Sequence, residues 1–414
     1  MPSKTPGRFA KLKLIPMQTR RNFIGNVATG LAGSLATGRV FAANERLRIG
    51  VIGVGDRGTQ LTREALASAG TEIAAFADVY TRRLADAAKL APAAKAYADY
   101  RQMLDDASID AVVIATPQHL HSDLFIAAVN AGKHVYIEKA MAFTVDQAKA
   151  MRAACQRAGN RVVEVGHQWC STGQAADAAN YLGSGVVGQV TAIRAHMYRN
   201  TPHGKPQWTR PVYPDMTPEA IDWNAFLGSA PRRDFDADRF INWRLFTDYS
   251  GGNVHESMSQ QLAFWYKVMG LEIPQAVTMS GGLYRWIDGR EVPDTMNVSM
   301  EHETLLFSWD SGFGNNQLGV TENVLGTEGT IARGQQIRYL PQKVTRPDGV
   351  EMAGQTPTAP RAHMEDFLES IRTGKTPNCP FEIGYRVSVA CAMAVESFYA
   401  GRTVRWDAGR EEIV

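Results

Sequence analysis

The chain has no apolar run approaching the roughly 18 residues that a helix needs to cross a bilayer, so it gives no support to an integral membrane protein. Cysteine is scarce. Cys155, Cys170, Cys379 and Cys391 form no CxxC pair and show no metal-site spacing, and a chain of 414 residues builds a core without disulfides, so free, buried thiols are expected. Neither sign of charge dominates: 44 Lys and Arg stand against 42 Asp and Glu, a formal net charge of +2. Even that excess is local. Residues 1–42 carry seven Lys and Arg and no acid, which leaves −5 for the rest. A mildly acidic body argues against nucleic acid or an anionic membrane surface as partner. The length is too great for one compact core, and two domains are expected.

The basic leader has internal order. Arg20-Arg21 is followed by Asn22-Phe23-Ile24, a mild Gly/Ala/Ser-rich stretch over residues 23–36, and small residues at Val40-Phe41-Ala42 that suit a cut before Ala43. The pattern resembles a twin-arginine signal, the route for proteins exported already folded. It places residues 1–42 as a removable signal peptide and the mature chain in the periplasm or another extracytoplasmic space.

Beyond the leader lies a dinucleotide-binding pattern. From Arg46 the chain reads RLRIGVIGVG, the apolar run of a buried parallel strand, then Gly53-Val54-Gly55-Asp56-Arg57-Gly58, then a helical pattern over Thr59–Ala69. Twenty residues beyond Gly58, the run EIAAFAD ends on Asp78. A GxGxxG between strand and helix, with an acid closing the next strand, is a dinucleotide fingerprint. Gly53 allows the tight turn, Gly55 the approach of a pyrophosphate and Gly58 the packing of helix on strand. Asp78 suits the adenosine ribose hydroxyls and repels a 2′-phosphate, which favours NAD; Arg82 and Arg83 just beyond leave NADP open. Strand and helix patterns then alternate through IDAVVIAT (109–116), residues 122–131, HVYIE (134–138), residues 145–157 and RVVEV (161–165), as a parallel sheet with crossover helices requires. This domain is assigned to residues 43–168. At its ligand-binding edge lie Thr116, Pro117, His119, His121, Glu138, Lys139, His167 and Gln168, which with Asp56 and Arg57 are expected around the cofactor cleft. The spacing of His119 and His121 invites a metal, but no third ligand accompanies them.

These segments resemble the Gfo/Idh/MocA family of oxidoreductases. The resemblance is carried by the fingerprint, by ATPQHLHSDLFIAAVNAGKHVYIEKA (115–140), by LGSAP and DYSGG, and by HMEDFLESIRTGKTPN near the end. It implies a second, α+β domain over residues 169–414, with a large open, mostly antiparallel sheet whose exposed face pairs subunits into a homo-oligomer. It also implies a carbohydrate-like substrate and a lysine beside the nicotinamide. Lys139 matches the Glu-Lys-Pro motif that supplies this lysine, although Ala140 replaces the proline and leaves the loop's geometry open. A lysine facing the oxidised ring has its ammonium form disfavoured, which suits handling of a hydroxyl proton. The family's GG-x-x-x-D-x-x-x-H motif is altered. Aligned on Gly251-Gly252, Glu256 takes the Asp position and Gln260 the His position. Gln260 can hydrogen-bond a sugar hydroxyl but cannot shuttle a proton. The acid/base role then rests with Lys139 or passes to His255 or Glu256, with Tyr249, His167 and Arg244 as further substrate contacts.

From residue 189 the pattern changes to strand-like runs, VTAIRAHMYR, QAVTMSGGLYRW, MNVSMEHETLLFSWD and TIARGQQIRYL, with helices over 253–267 and 362–373. Trp208, Trp223, Trp243, Trp265 and Trp286 suit either a sugar platform or apolar anchors, and Arg199, His203, Arg239 and Arg244 either substrate contacts or surface. An exported Rossmann protein must fold around its nicotinamide cofactor and keep it. Three activities fit: a sugar or polyol dehydrogenase with retained NAD; an NAD-dependent glycosidase resembling glycoside hydrolase family 109, which works by oxidation and elimination; and a binding protein with a degenerate site.

Overall fold

The computed structural model describes residues 46–356 and 363–414, so the leader lies outside the described residues. The chain first builds β1 (Leu47–Ile52), α1 (Asp56–Ala67), β2 (Thr71–Ala77), α2 (Thr81–Ala88), β3 (Lys95–Tyr97), α3 (Tyr100–Leu104), β4 (Ala111–Ile114), α4 (His121–Asn130), β5 (His134–Ile137), α5 (Val145–Ala158) and β6 (Val163–Val165). The six strands are parallel in the order β3-β2-β1-β4-β5-β6. The order reverses between β1 and β4, and the carboxyl ends of these two strands open the crevice where such sheets bind ligands. Helix α1 starts three residues before the sequence pattern suggests, at Asp56, because the glycine turn runs straight into it.

The second domain adds α6 (Gln174–Gly183), β7 (Val190–Met197), the short α7 (Trp223–Leu227) and α8 (Ala237–Ile241), α9 (Ser259–Met269), β8 (Ala276–Gly282), β9 (Thr295–Glu301), β10 (Leu306–Gly312), β11 (Val320–Gly326), β12 (Gly329–Arg333), β13 (Ile337–Pro341), β14 (Met352–Ala353), α10 (His363–Thr373), α11 (Phe381–Ala400), β15 (Val404–Asp407) and β16 (Glu412–Ile413). Its ten strands run β14-β13-β12-β11-β7-β10-β9-β8-β15-β16, antiparallel except where β7 meets β10. Two runs that read as single strands are hairpins. MNVSMEHETLLFSWD turns where the His302 amide donates to the Leu305 carbonyl, and TIARGQQIRYL turns at Gly334. The fold is thus a Rossmann domain joined to an open, mostly antiparallel sheet, as expected.

Alternating side chains of β7, β9 and β10 (Ile193, Ala195, Val298, Met300, Phe307, Trp309) enter one large core shared with α9, α11 and a face of the first sheet. The other face of the first sheet is covered by α1 and α10, through Leu61, Met364, Phe367 and Leu368. Helix α11 buries 13 of its 20 residues, which explains why its sequence is apolar all round rather than on one stripe. Beneath α10, Glu164 of β6 is wholly buried with Oε1 3.0 Å from His363 Nδ1. Burial pushes Glu164 up to about 10 and His363 down to about 4, so the pair is neutral at neutral pH. The four cysteines are unpaired, and Cys170, Cys379 and Cys391 are buried. Among the described residues no helix is long and apolar enough to cross a membrane.

Candidate active site

The glycine turn after β1 opens a cavity of about 690 Å³ that runs from Asp78 and Arg83 at one end to Lys139, Arg244 and Glu256 at the other. Gly53 has φ +84°, and a Cβ there would lie 2.9 Å from the Ala115 backbone, so the β1–α1 turn presses directly on the end of β4. Gly55 differs. A Cβ on it would meet nothing nearer than the Arg83 guanidinium at 3.5 Å, and the residue lines the cavity. Protein packing does not demand a glycine here; an occupant of the cavity approaching the backbone does, which is what a pyrophosphate at the start of α1 requires. Asp78 accepts from the Val54 amide (2.8 Å) and the Tyr80 amide (3.0 Å) and still faces the cavity, with Arg83 4.0 Å away. Arg82 is turned away and pairs with Asp215 at 2.9 Å. These features fit a dinucleotide.

A segment of the second domain, residues 206–246, roofs the cleft. It is stitched to the Rossmann domain by hydrogen bonds from the Thr81 amide to Ala220 (3.0 Å) and from the Asp222 amide to Val79 (2.9 Å). The Tyr80 hydroxyl donates to Asp215 (2.7 Å), and Arg210 forms an ion pair with Asp56 across the opening. At the end of β5, Glu138 accepts from Arg57 Nε at 2.7 Å, and the Gln168 carbonyl accepts from the same guanidinium. The Glu138 contact holds the Arg57 guanidinium above its ordinary value although burial opposes this.

Glu256 is the hub of the far end. It lies in a π-helical turn, Val254–Met258, that precedes α9, a local widening that re-aims successive side chains. Its Oε2 accepts from Lys139 Nζ at 2.8 Å, its Oε1 from Gln118 Nε2 at 2.9 Å, and Arg244 Nε stands 3.4 Å from Oε1. Lys139 Nζ also donates to the Glu256 carbonyl at 3.0 Å, and Gln118 Oε1 accepts from the Gly251 amide at 3.1 Å. Burial raises the Glu256 carboxyl, but Lys139 and Arg244 more than offset it and hold the group down at about 2. The Lys139–Ala140 peptide is cis.

Other expected site residues lie behind this wall. His255 is buried under Gly251, where any Cβ would fall 1.5 Å from its Nδ1, and beside Phe143; burial lowers it to about 4. His167 is also fully buried. Burial lowers it to about 3, aided by Lys139 and opposed by Gln260, which sits against it rather than on the cavity. His119 bonds the Phe226 carbonyl at 2.8 Å and packs on Tyr249, while His121 stands between the Thr116 and Ala140 carbonyls, each at 2.9 Å. His119, His121, Tyr249, His167, Gln260 and His255 therefore shape the cavity's backing and do not line it, whereas Gly53, Gly55, Asp56, Arg57, Asp78, Thr116, Pro117, Glu138, Lys139, Arg244 and Glu256 do. Gly58 packs α1 against the turn, its would-be Cβ 1.9 Å from the Gly53 carbonyl. Of the tryptophans only Trp243 reaches the cavity; Trp265 and Trp286 are buried, and Trp208 and Trp223 pack in the roof. Arg239 is occupied by Asp248 and Glu291, and His203 is exposed. The sequence reading missed Gln118, Arg210 and Arg232; the first has a local signal in its place directly after Pro117.

Residues 47–167 match a family model described as "Oxidoreductase family, NAD-binding Rossmann fold". Levoglucosan dehydrogenase of Pseudarthrobacter phenanthrenivorans is 35% identical over 338 residues, 72% of this chain and 80% of that one. Inositol 2-dehydrogenase of Salmonella typhimurium is 31% identical over 235 residues, 56% of this chain, and the match spans only 63% of that enzyme's length. The solved structure of a levoglucosan dehydrogenase in complex with NADH and levoglucosan superposes with a TM-score of 0.67 at 22% identity, covering 87% of this chain and 99% of that one, which shows a shared fold. With both domains, the fingerprint and the long match to a relative in place, the chain belongs to the Gfo/Idh/MocA oxidoreductase family.

Proposed function

We propose that the protein is an NAD-dependent dehydrogenase acting on a carbon-bound hydroxyl of a sugar or polyol, with the dinucleotide held as a retained group. The observation that carries this reading is the continuity of one cavity from the Gly53–Gly58 turn and Asp78 to the Lys139–Glu256 pair. The relatives are named as dehydrogenases of inositol and of levoglucosan, a polyol and an anhydrosugar. Gly55 and the amino end of α1 would hold the pyrophosphate and Asp78 the adenosine ribose, with NAD favoured over NADP by the Asp78 carboxylate. The roof formed by residues 206–246 supports retention.

When bound, NAD supplies the hydride acceptor. The chain's own part is to orient the hydroxyl and manage its proton. Lys139 Nζ is the cavity-lining nitrogen placed to exchange that proton. Glu256 is a poor base, being ionised down to about pH 2, and serves to fix Nζ. Gln118 and Arg244 fix Glu256 in turn. We further propose export through Arg20-Arg21 to an extracytoplasmic space, and pairing of subunits through the sheet face that presents Arg194, Asn297 and Ser308.

The test is to denature the purified protein and identify what it releases, then to follow 340 nm absorbance and aglycone release over a panel of sugars, polyols and glycosides. The reading expects released NAD, its loss in Gly55→Val, and NADH formation with a free sugar or polyol. Aglycone release without net NADH would replace it with the oxidation–elimination glycosidase, and released NADP alone would overturn the role of Asp78.

A further inference from the structure

Two arginines stand in the first turn of α2, just beyond the acid at the end of β2, and the structure separates them. Arg83 lines the cavity, 4.0 Å from Asp78, with its guanidinium 5.0 Å over the Phe240 ring. Arg82 does not line it. Its Nη1 donates to Asp215 Oδ1 at 2.9 Å, its Nε stands 3.9 Å from Asp86, and its guanidinium lies 4.6 Å over the Tyr213 ring. Two of these three partners, Tyr213 and Asp215, belong to the roof of the cleft.

The roof's own packing places Asp215. It sits in a turn where the Met216 amide donates to the Tyr213 carbonyl (3.0 Å) and the Thr217 amide to the Asp215 carbonyl (3.1 Å), and Met216 is buried with Ile221, Tyr80 and Phe240. The second oxygen of Asp215 accepts from the Tyr80 hydroxyl at 2.7 Å, and the Tyr80 amide donates to Asp78 at 3.0 Å. Direct contacts thus run from Asp215 through Tyr80 to the acid expected at the adenosine ribose. Asp78 cannot swing aside, because its side chain is 3% exposed and also accepts from the Val54 amide. A 2′-phosphate on that ribose meets a fixed negative charge, and a nearby arginine is what lets a Rossmann site take one. A guanidinium can give such a phosphate paired N–H donors. Arg83 already faces Asp78. Arg82, its neighbour on α2, is the remaining cation, and Asp215 holds it away from the cavity.

We infer that Asp215, a residue of the second domain, sets the dinucleotide preference. By holding Arg82 against the roof it withholds the cation that a 2′-phosphate needs and leaves Asp78 to select NAD. Asp215 does not line the cavity and acts through Arg82, so it is a positioning residue. This rests on the dehydrogenase reading above and deepens it, since there the choice of NAD falls to Asp78 alone.

Cofactor exchange on the purified holoprotein tests it without an assay of turnover. The protein is equilibrated with an equimolar excess of NAD and NADP, desalted and denatured, and both released dinucleotides are quantified. Wild type should release mainly NAD. Asp215→Asn removes the charge that faces Arg82 and should raise the NADP-to-NAD ratio by about five-fold, the size an exposed ion pair supports, with the gain shrinking as salt is added. Arg82→Gln alone should keep the wild-type ratio, and Asp215→Asn combined with Arg82→Gln should return to it, which a general loosening of the roof would not do. Tyr80→Phe removes the hydroxyl bond but keeps the ion pair, and should also stay near wild type. An unchanged ratio in Asp215→Asn, a raised ratio that persists in the double variant, or an equal rise in Tyr80→Phe would overturn the inference and leave the dehydrogenase reading standing. NADP as the main product of wild type would do the same. Wild type that takes up neither dinucleotide would bring down both. The Asp215 side chain is 48% exposed, and Asp215→Ser repeats the test should the Asn variant not fold.

Discussion

Replacing Glu256 with Gln keeps the shape of the turn and removes one charge from the Lys139–Arg244 cluster. The Glu256 side chain is 10% exposed, Lys139 14% and Arg244 30%, so solvent screening is slight. The carboxyl is held at about 2 against an ordinary 4.5. Each unit is about 1.4 kcal/mol, so ionised Glu256 contributes about 3 kcal/mol near pH 7, in the range for breaking a buried pair. Because the folded value is depressed, this contribution is complete above the unfolded value and disappears as pH falls through the folded one. Linkage leaves about 1.4 kcal/mol at pH 3. Urea unfolding of wild type and Glu256→Gln at both pH values reads it directly. A destabilisation under about 1 kcal/mol near pH 7, or an equal one at the two pH values, would refute the reasoning.

Glu164→Gln acts in the opposite sense. Native Glu164 keeps its proton up to about pH 10, whereas the unfolded side chain ionises near 4.5, so stability is lost as pH rises between those values; the variant should be more stable by about 3 kcal/mol near pH 7 and match wild type near pH 4 in thermal or urea unfolding. Asp56→Asn opens the Arg210 clasp over the cleft. Because that pair is solvent-exposed, cofactor release measured by dialysis or fluorescence should accelerate by no more than about five-fold, and a far larger change would mean the clasp carries the whole roof.

The first domain was legible because its signals are local: a period of apolar strands, a glycine turn and an acid at fixed offset. The second was legible in outline only. The single run 296–310 conceals a hairpin because the turn at His302–Leu305 lacks glycine and proline, and α11 shows no narrow amphipathic stripe because 13 of its 20 residues are buried. At the site, Lys139 and Glu256 could be placed from the motif spacing, but the side on which their neighbours fall could not. The π turn at Val254–Met258 sends Glu256 to the cavity and His255 into the core, a difference no helical wheel contains. Gln260 stands at the position where the family has histidine, yet a histidine is beside it: His167, brought from the end of the Rossmann domain and kept neutral by burial. The roof contacts of Asp56, Tyr80 and Asp215 join residues more than 130 apart and leave no sequence signal at all.

The central claim is that Lys139 exchanges the hydroxyl proton while Glu256 only holds it in place. The most direct measurement is the single-turnover rate at 340 nm in Lys139→Met with its cofactor content confirmed after denaturation. The account predicts a fall of roughly 10²-fold or more, as loss of a general base gives, with dinucleotide still bound. A near-normal rate in that variant, with His255→Asn or Glu256→Gln abolishing turnover at unchanged cofactor content, would contradict it.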